Sequence, residues 1–153
     1  MTLYLVQHGQ SLPKDVDPDK GLSEEGVAET ERIAGVAKNY QINVGQIMHS
    51  IKTRARQTAD IFASALIPTG GVTEVAGLKP MDDVAAFAAS LNPDTNTMLV
   101  GHLPFMERMT SYLVTGSLDK PVFKFQNSGI VCLDKDPASQ SWVIVWTLMP
   151  RIG

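Results

Sequence analysis

The sequence predicts an α/β fold, a helix-flanked and mostly parallel central sheet that ends in an antiparallel pair. Three observations carry this. Short β-prone apolar runs alternate with stretches of helical periodicity as far as Gly116. Two of these runs, residues 3–6 and Thr97–Gly101, stop directly before Gln7-His8 and before His102. After Gly116 the alternation ends, and residues 129–133 and Trp142–Leu148 form two β-prone runs joined by the turn-rich residues 134–141.

The elements follow in order. Residues 3–6 (Leu-Tyr-Leu-Val) read as a buried strand closing at Gln7-His8-Gly9. Residues 10–21 are rich in Pro and Asp without apolar period, a long loop of the kind that borders functional sites. Ser23 is the expected N-cap of a helix running to about Asn39, with Glu24 and Glu25 in the first turn where the helix dipole favours them. A second strand is expected within residues 42–49, and Ser50 is placed as a cap or a phosphate neighbour ahead of a helix over residues 52–66. The apolar stripe of that helix is Ala55, Ala59, Phe62, Ala63 and Leu66. A short strand over residues 72–75, a helix opened by Asp82 or Asp83 and closed at Asn92-Pro93, the strand Thr97–Gly101 and a helix from Pro104 to about Val114 complete the alternation. Right-handed crossovers would bring the carboxyl ends of the strands to one rim, and His8 and His102 with them.

Composition narrows the function. The 153 residues carry 13 Lys+Arg and 16 Asp+Glu, a formal charge of −3, with 44% hydrophobic residues. A single domain over 1–153 is expected, large enough to build a core without disulfide or structural metal. No basic block invites nucleic acid or an anionic membrane, so neither is expected as a partner. No run reads as a signal peptide or a spanning segment, and the cytoplasm is the expected compartment. Cys132 is the single cysteine, sits in an apolar strand-like run and reads as a buried thiol. The three histidines lack the spacing of a zinc site, so no metal and no cofactor is expected.

Three segments concentrate the chemistry: Gln7-His8-Gly9-Gln10-Ser11, Ser50-Ile51-Lys52-Thr53-Arg54-Ala55-Arg56-Gln57-Thr58-Ala59, and Val100-Gly101-His102-Leu103-Pro104. With Gly77-Leu78-Lys79-Pro80-Met81-Asp82-Asp83 and the closing Trp146-Thr147-Leu148-Met149-Pro150, they resemble the histidine phosphatase superfamily, and within it the small SixA-like phosphohistidine phosphatases. The resemblance extends over nearly the whole chain and implies the phosphoglycerate mutase-like fold. It implies that His8 is the nucleophile accepting a phosphoryl group, that His102 is its partner, and that Arg54 holds the phosphate. The acid position favoured by the resemblance is Asp83, with Glu74 and Asp82 beside it as alternatives. Asp82 or Asp83 reads equally as a helix cap.

The residue types suit these roles. A neutral imidazole nitrogen is a nucleophile near pH 7, and phosphoryl transfer needs in-line attack with donors around the equatorial oxygens. Gly9 lets backbone approach the phosphate, and Arg54 presents a planar pair of N–H groups from the first turn of a helix. A protonated His102 would donate to the same oxygens.

One position departs from the family. Gln7 stands where the signature has arginine before the nucleophilic histidine. Its amide can donate to phosphate, but loss of a charge-assisted contact would cost about 1.5–3 kcal/mol, or about one to two powers of ten in rate. A missing cation should also leave the pKa of His8 higher than beside arginine. Lys52 restores charge only if the turn brings it inward.

The expected activity is hydrolysis of phosphohistidine, carried by a signalling protein or a small phosphorylated substrate, through a phosphorylated His8. Gln7 motivates a competing reading, a non-catalytic phosphate- or phosphohistidine-binding module. A small-molecule phosphomonoesterase is the third reading.

Overall fold

The computed structural model describes residues 1–152; Gly153, the last residue of the expected domain, lies outside the described residues. The elements are β1 (Thr2–Gln7), α1 (Glu24–Asn39), β2 (Gln46–His49), α2 (Thr53–Leu66), β3 (Val72–Glu74), α3 (Val84–Ser90), β4 (Thr97–Gly101), α4 (Phe105–Thr115), β5 (Ile130–Lys135) and β6 (Trp142–Leu148). All six strands join one sheet in the order β3-β2-β4-β1-β5-β6. The pairs β3/β2, β2/β4 and β4/β1 are parallel, while β1/β5 and β5/β6 are antiparallel.

The side-chain alternation of the strands divides the apolar residues between two layers. Tyr4 and Val6 of β1 and Met98 and Val100 of β4 face Ile33, Ala34 and Ala37 of α1 and Ala55, Ala59 and Phe62 of α2. Leu5 and Leu99 point the other way, onto Val84 and Phe87 of α3 and Phe105, Met106 and Met109 of α4. Every residue of β4 is buried, which is why Met98, Leu99 and Val100 form an unbroken apolar run and not an alternating one.

Local chemistry sets the helix ends. Ser23 caps α1, its hydroxyl accepting from the Gly26 N–H at 3.0 Å, and Gly116 ends α4 in the left-handed conformation with φ 79°. Helix α2 differs from expectation at its start. Its cap is Lys52, which makes no side-chain capping bond, while the Ser50 hydroxyl is engaged elsewhere. Cys132 is buried against the α1/α2 layer, and burial pushes its thiol up to about 12. No helix among the described residues is long and apolar enough to cross a membrane.

Candidate active site

The site lies where three parallel strands end. The register pairs Gln7 of β1 with Gly101 of β4, and His49 of β2 with Val100 of β4. One residue further along each strand stand His8, His102 and Ser50, so sheet register alone gathers three groups that are far apart in sequence. The chain leaving β2 turns at once into α2, which delivers Arg54 from its first turn.

His8 is held on both sides. Its backbone N–H donates to Gly101 O at 3.0 Å, and its carbonyl accepts from Asn127 Nδ2 at 2.8 Å. Ring Nδ1 lies 2.7 Å from the Gly9 carbonyl, a group that can only accept, so Nδ1 carries the hydrogen. Nε2 is therefore a bare lone pair, and it accepts from Arg54 Nε at 3.3 Å. Burial, ahead of the cations Arg54 and Lys20 and against the bond to Gly9, lowers the His8 pKa to about 4. Burial thus outweighs the absent arginine, and His8 is neutral at neutral pH.

The ring of His102 lies beside it, with centroids 5.1 Å apart and planes inclined by 56°. His102 is 2% exposed, with Nε2 at 2.6 Å from Ser50 Oγ and Nδ1 buried without a hydrogen-bond partner among the described residues. Burial first, then His8, Arg54, Lys52 and Lys20, push its pKa down to about 3. It too is neutral here, where the sequence argument has a protonated His102 as donor. An anion placed between these groups would favour protonation.

Gly9 is needed for space. A Cβ there would stand 2.7 Å from Thr30 Oγ1 and 3.1 Å from Ser128 Oγ. Its N–H donates to Thr58 Oγ1 at 2.9 Å, and the Thr58 hydroxyl donates in turn to the Arg54 carbonyl at 2.7 Å. Gln7 ends β1 with its Oε1 buried and without a hydrogen-bond partner among the described residues. His49 is packed away from the cluster, its Nδ1 at 2.8 Å from the Ser50 carbonyl, and Arg56 is exposed.

The acidic candidates occupy an adjoining groove of about 660 Å³ that Ser50 shares with Glu74, Asp82 and Asp83. Asp82 accepts from the Lys79 N–H at 2.8 Å, and Asp83 caps α3 by accepting from the Ala86 N–H at 3.0 Å. The structure brings His8, Arg54 and His102 together, with Gln7 and Gly9 alongside, and leaves the carboxylates in the groove beside them.

Three contributors, Thr58, Thr30 and Lys20, are missing from the sequence reading, in which Asn127 and Ser128 ahead of a strand are already candidates to line the pocket. Thr58 and Asn127 hydrogen-bond the backbone at Gly9 and His8, while Thr30 packs against Gly9 with its hydroxyl on Ser128 Oγ and the Gly26 carbonyl. Lys20, from the long loop, adds positive charge felt by both rings. That loop is anchored by Leu22 N–H donating to Gln57 Oε1 of α2 at 2.7 Å. Only Thr58 carried a local signal, standing four residues after Arg54 on the same helix face.

The sequence model of the histidine phosphatase superfamily (branch 1) matches residues 3–82, more than half of the chain. The chain belongs to the histidine phosphatase superfamily. An uncharacterised protein of Picosynechococcus sp. (strain PCC 7002) is 34% identical over 113 residues, covering 68% of this chain and 67% of its own. Among solved structures, a protein histidine phosphatase SixA complexed with tungstate superposes with a TM-score of 0.85 over 98% of this chain and 97% of its own, at 23% identity. A SixA of Agrobacterium tumefaciens superposes with a TM-score of 0.77 over 97% of both chains, at 26% identity. The superfamily fold, six strands with four flanking helices, is the one described above.

Proposed function

We propose that this chain is a phosphatase that takes the phosphoryl group of a phosphohistidine onto Nε2 of His8 and then passes it to water, within one domain. The observation that carries the reading is the state of His8: a neutral imidazole whose Nδ1 is tied to Gly9 and whose Nε2 lone pair faces the Arg54 guanidinium. Arg54 and the His102 ring are the groups placed to hold phosphate oxygens, with Gln7 and the backbone at Gly9 beside them. The fold shared with a SixA complexed with tungstate, a tetrahedral oxyanion, is in keeping with this reading.

Substrate class follows from the leaving group. The Nε2 lone pair of His8 attacks phosphorus, and the P–N bond pair returns to the substrate imidazole. A substrate ring already protonated at its other nitrogen leaves neutral and needs no proton from the protein. An alkyl phosphate would need a donor, and Asp83 is the residue we assign to that role for such substrates. The Asp82 and Asp83 carboxylates are each engaged by a backbone N–H. The arrangement therefore favours a phosphoramidate, carried by a protein or a small molecule.

The experiment is a comparison of wild type and His8→Ala on a phosphohistidine peptide and a panel of phosphate esters, with trapping of acid-labile phosphate. Turnover of the peptide with phosphate on His8, abolished in the variant, is expected. Tight phosphopeptide binding without turnover would instead make the chain a recognition module, the reading Gln7 suggests. Faster ester hydrolysis would shift the substrate class to phosphomonoesters.

A further inference from the structure

We propose that Ser50 is a positioning residue for His102: its hydroxyl donates to Nε2, so the imidazole carries its one hydrogen on Nδ1 and presents an N–H donor to the phosphoryl oxygens. The inference rests on the reading that this site holds a phosphoryl group and names what prepares the second imidazole for it.

Ser50 and His102 are 1% and 2% exposed, and their side chains meet at 2.6 Å, so water does not share the contact. The Ser50 oxygen has one other partner, the Lys52 backbone N–H at 3.3 Å, which can only donate. The hydroxyl hydrogen therefore has a single acceptor among the described residues, Nε2 of His102. Were Nε2 to carry the hydrogen instead, it would donate to the serine oxygen and leave the serine hydrogen buried with nothing to accept it, an arrangement folded proteins avoid.

A neutral imidazole has one N–H, so accepting at Nε2 places it on Nδ1. That nitrogen is buried and has no hydrogen-bond partner among the described residues. Its ring lies beside that of His8, the centroids 5.1 Å apart and the planes inclined by 56°. An N–H there meets an oxyanion with a hydrogen bond, whereas the opposite tautomer would meet it with a lone pair. The low pKa of His102 makes the choice consequential, because both nitrogens are not protonated together near neutrality.

The same tautomer serves different ends in the two rings. In His8 a backbone acceptor claims Nδ1–H and frees Nε2 as the nucleophilic lone pair. In His102 a hydroxyl donor claims Nε2 and frees Nδ1–H as the donor. Nucleophile and electrostatic partner are told apart by one carbonyl and one hydroxyl.

The test is nitrogen NMR of protein labelled with ¹⁵N-histidine, reading which His102 nitrogen is protonated, in wild type, Ser50→Ala and Ser50→Thr, each titrated with inorganic phosphate. Wild type and Ser50→Thr should show Nδ1–H. Ser50→Ala should move the hydrogen toward Nε2, with phosphate affinity and phosphoenzyme formation falling by about 10- to 100-fold and recovering in Ser50→Thr. A wild-type spectrum with the hydrogen on Nε2 overturns the inference whatever the variants do, as does Ser50→Ala with Nδ1–H and phosphate binding intact. The spectrum needs no substrate, so failure to hydrolyse phosphohistidine would sink the proposed function and leave this reading of Ser50 standing.

Discussion

Acid should destabilise this fold through its two site imidazoles, and the size of the effect can be worked out. In the unfolded chain a histidine titrates near 6.5, whereas in the fold His8 titrates near 4 and His102 near 3, chiefly because both are buried. With the folded values depressed, the unfolded chain binds more protons below pH 6.5, so stability is complete above that pH and is lost as pH falls toward 4. Between pH 7.5 and pH 5 each ring costs about 1.36 kcal/mol for each pH unit below 6.5, about 2 kcal/mol in all. Urea unfolding at the two pH values, in wild type and in His8→Asn and His102→Asn, is the assay. The other titrating groups are common to the three proteins and cancel in the comparison. Each variant should lose about 2 kcal/mol less than wild type across the interval. A variant as acid-sensitive as wild type would refute the claim that these imidazoles are held neutral. The same low value means that kcat/KM should show no acid limb near pH 6.5 from His8.

Two further substitutions test other parts of the argument. Gln7→Arg should raise the rate of phosphoenzyme formation by about 10- to 100-fold in rapid-quench measurements, by restoring a charge-assisted contact worth about 1.5–3 kcal/mol; an unchanged rate would show that Arg54 and Lys20 already supply the charge. Gly26→Ala places a Cβ 2.1 Å from the Gln10 carbonyl, where backbone must yield, so thermal or urea unfolding should report a loss of about 1–3 kcal/mol despite a gain of about 1 kcal/mol in helix propensity.

Much of the architecture was legible because its signals are local. Ser23 with Glu24 and Glu25 marks the start of α1, the unbroken apolar β4 announces a strand buried on both faces, and Gly116 ends α4. The histidines stand out because each follows such a strand directly. Ser50 shows where local reading stops. By position it serves as well for a helix cap, and only the pairing of β2 with β4 turns it toward His102. Lys20 reaches the site through a loop whose course depends on tertiary contacts, such as the bond from Leu22 to Gln57, and no spacing in the sequence encodes those contacts. The depressed titration of both rings is likewise a property of enclosure, which a charge count along the chain underestimates.

The Thr58 hydroxyl joins the main chain beside His8 to the main chain at Arg54, through two hydrogen bonds around one oxygen. The spacing of the two backbone segments that carry His8 and Arg54 is thus set by the scaffold and not by the ligand. An incoming anion meets a receptor already assembled, and little of its affinity is diverted into ordering the protein.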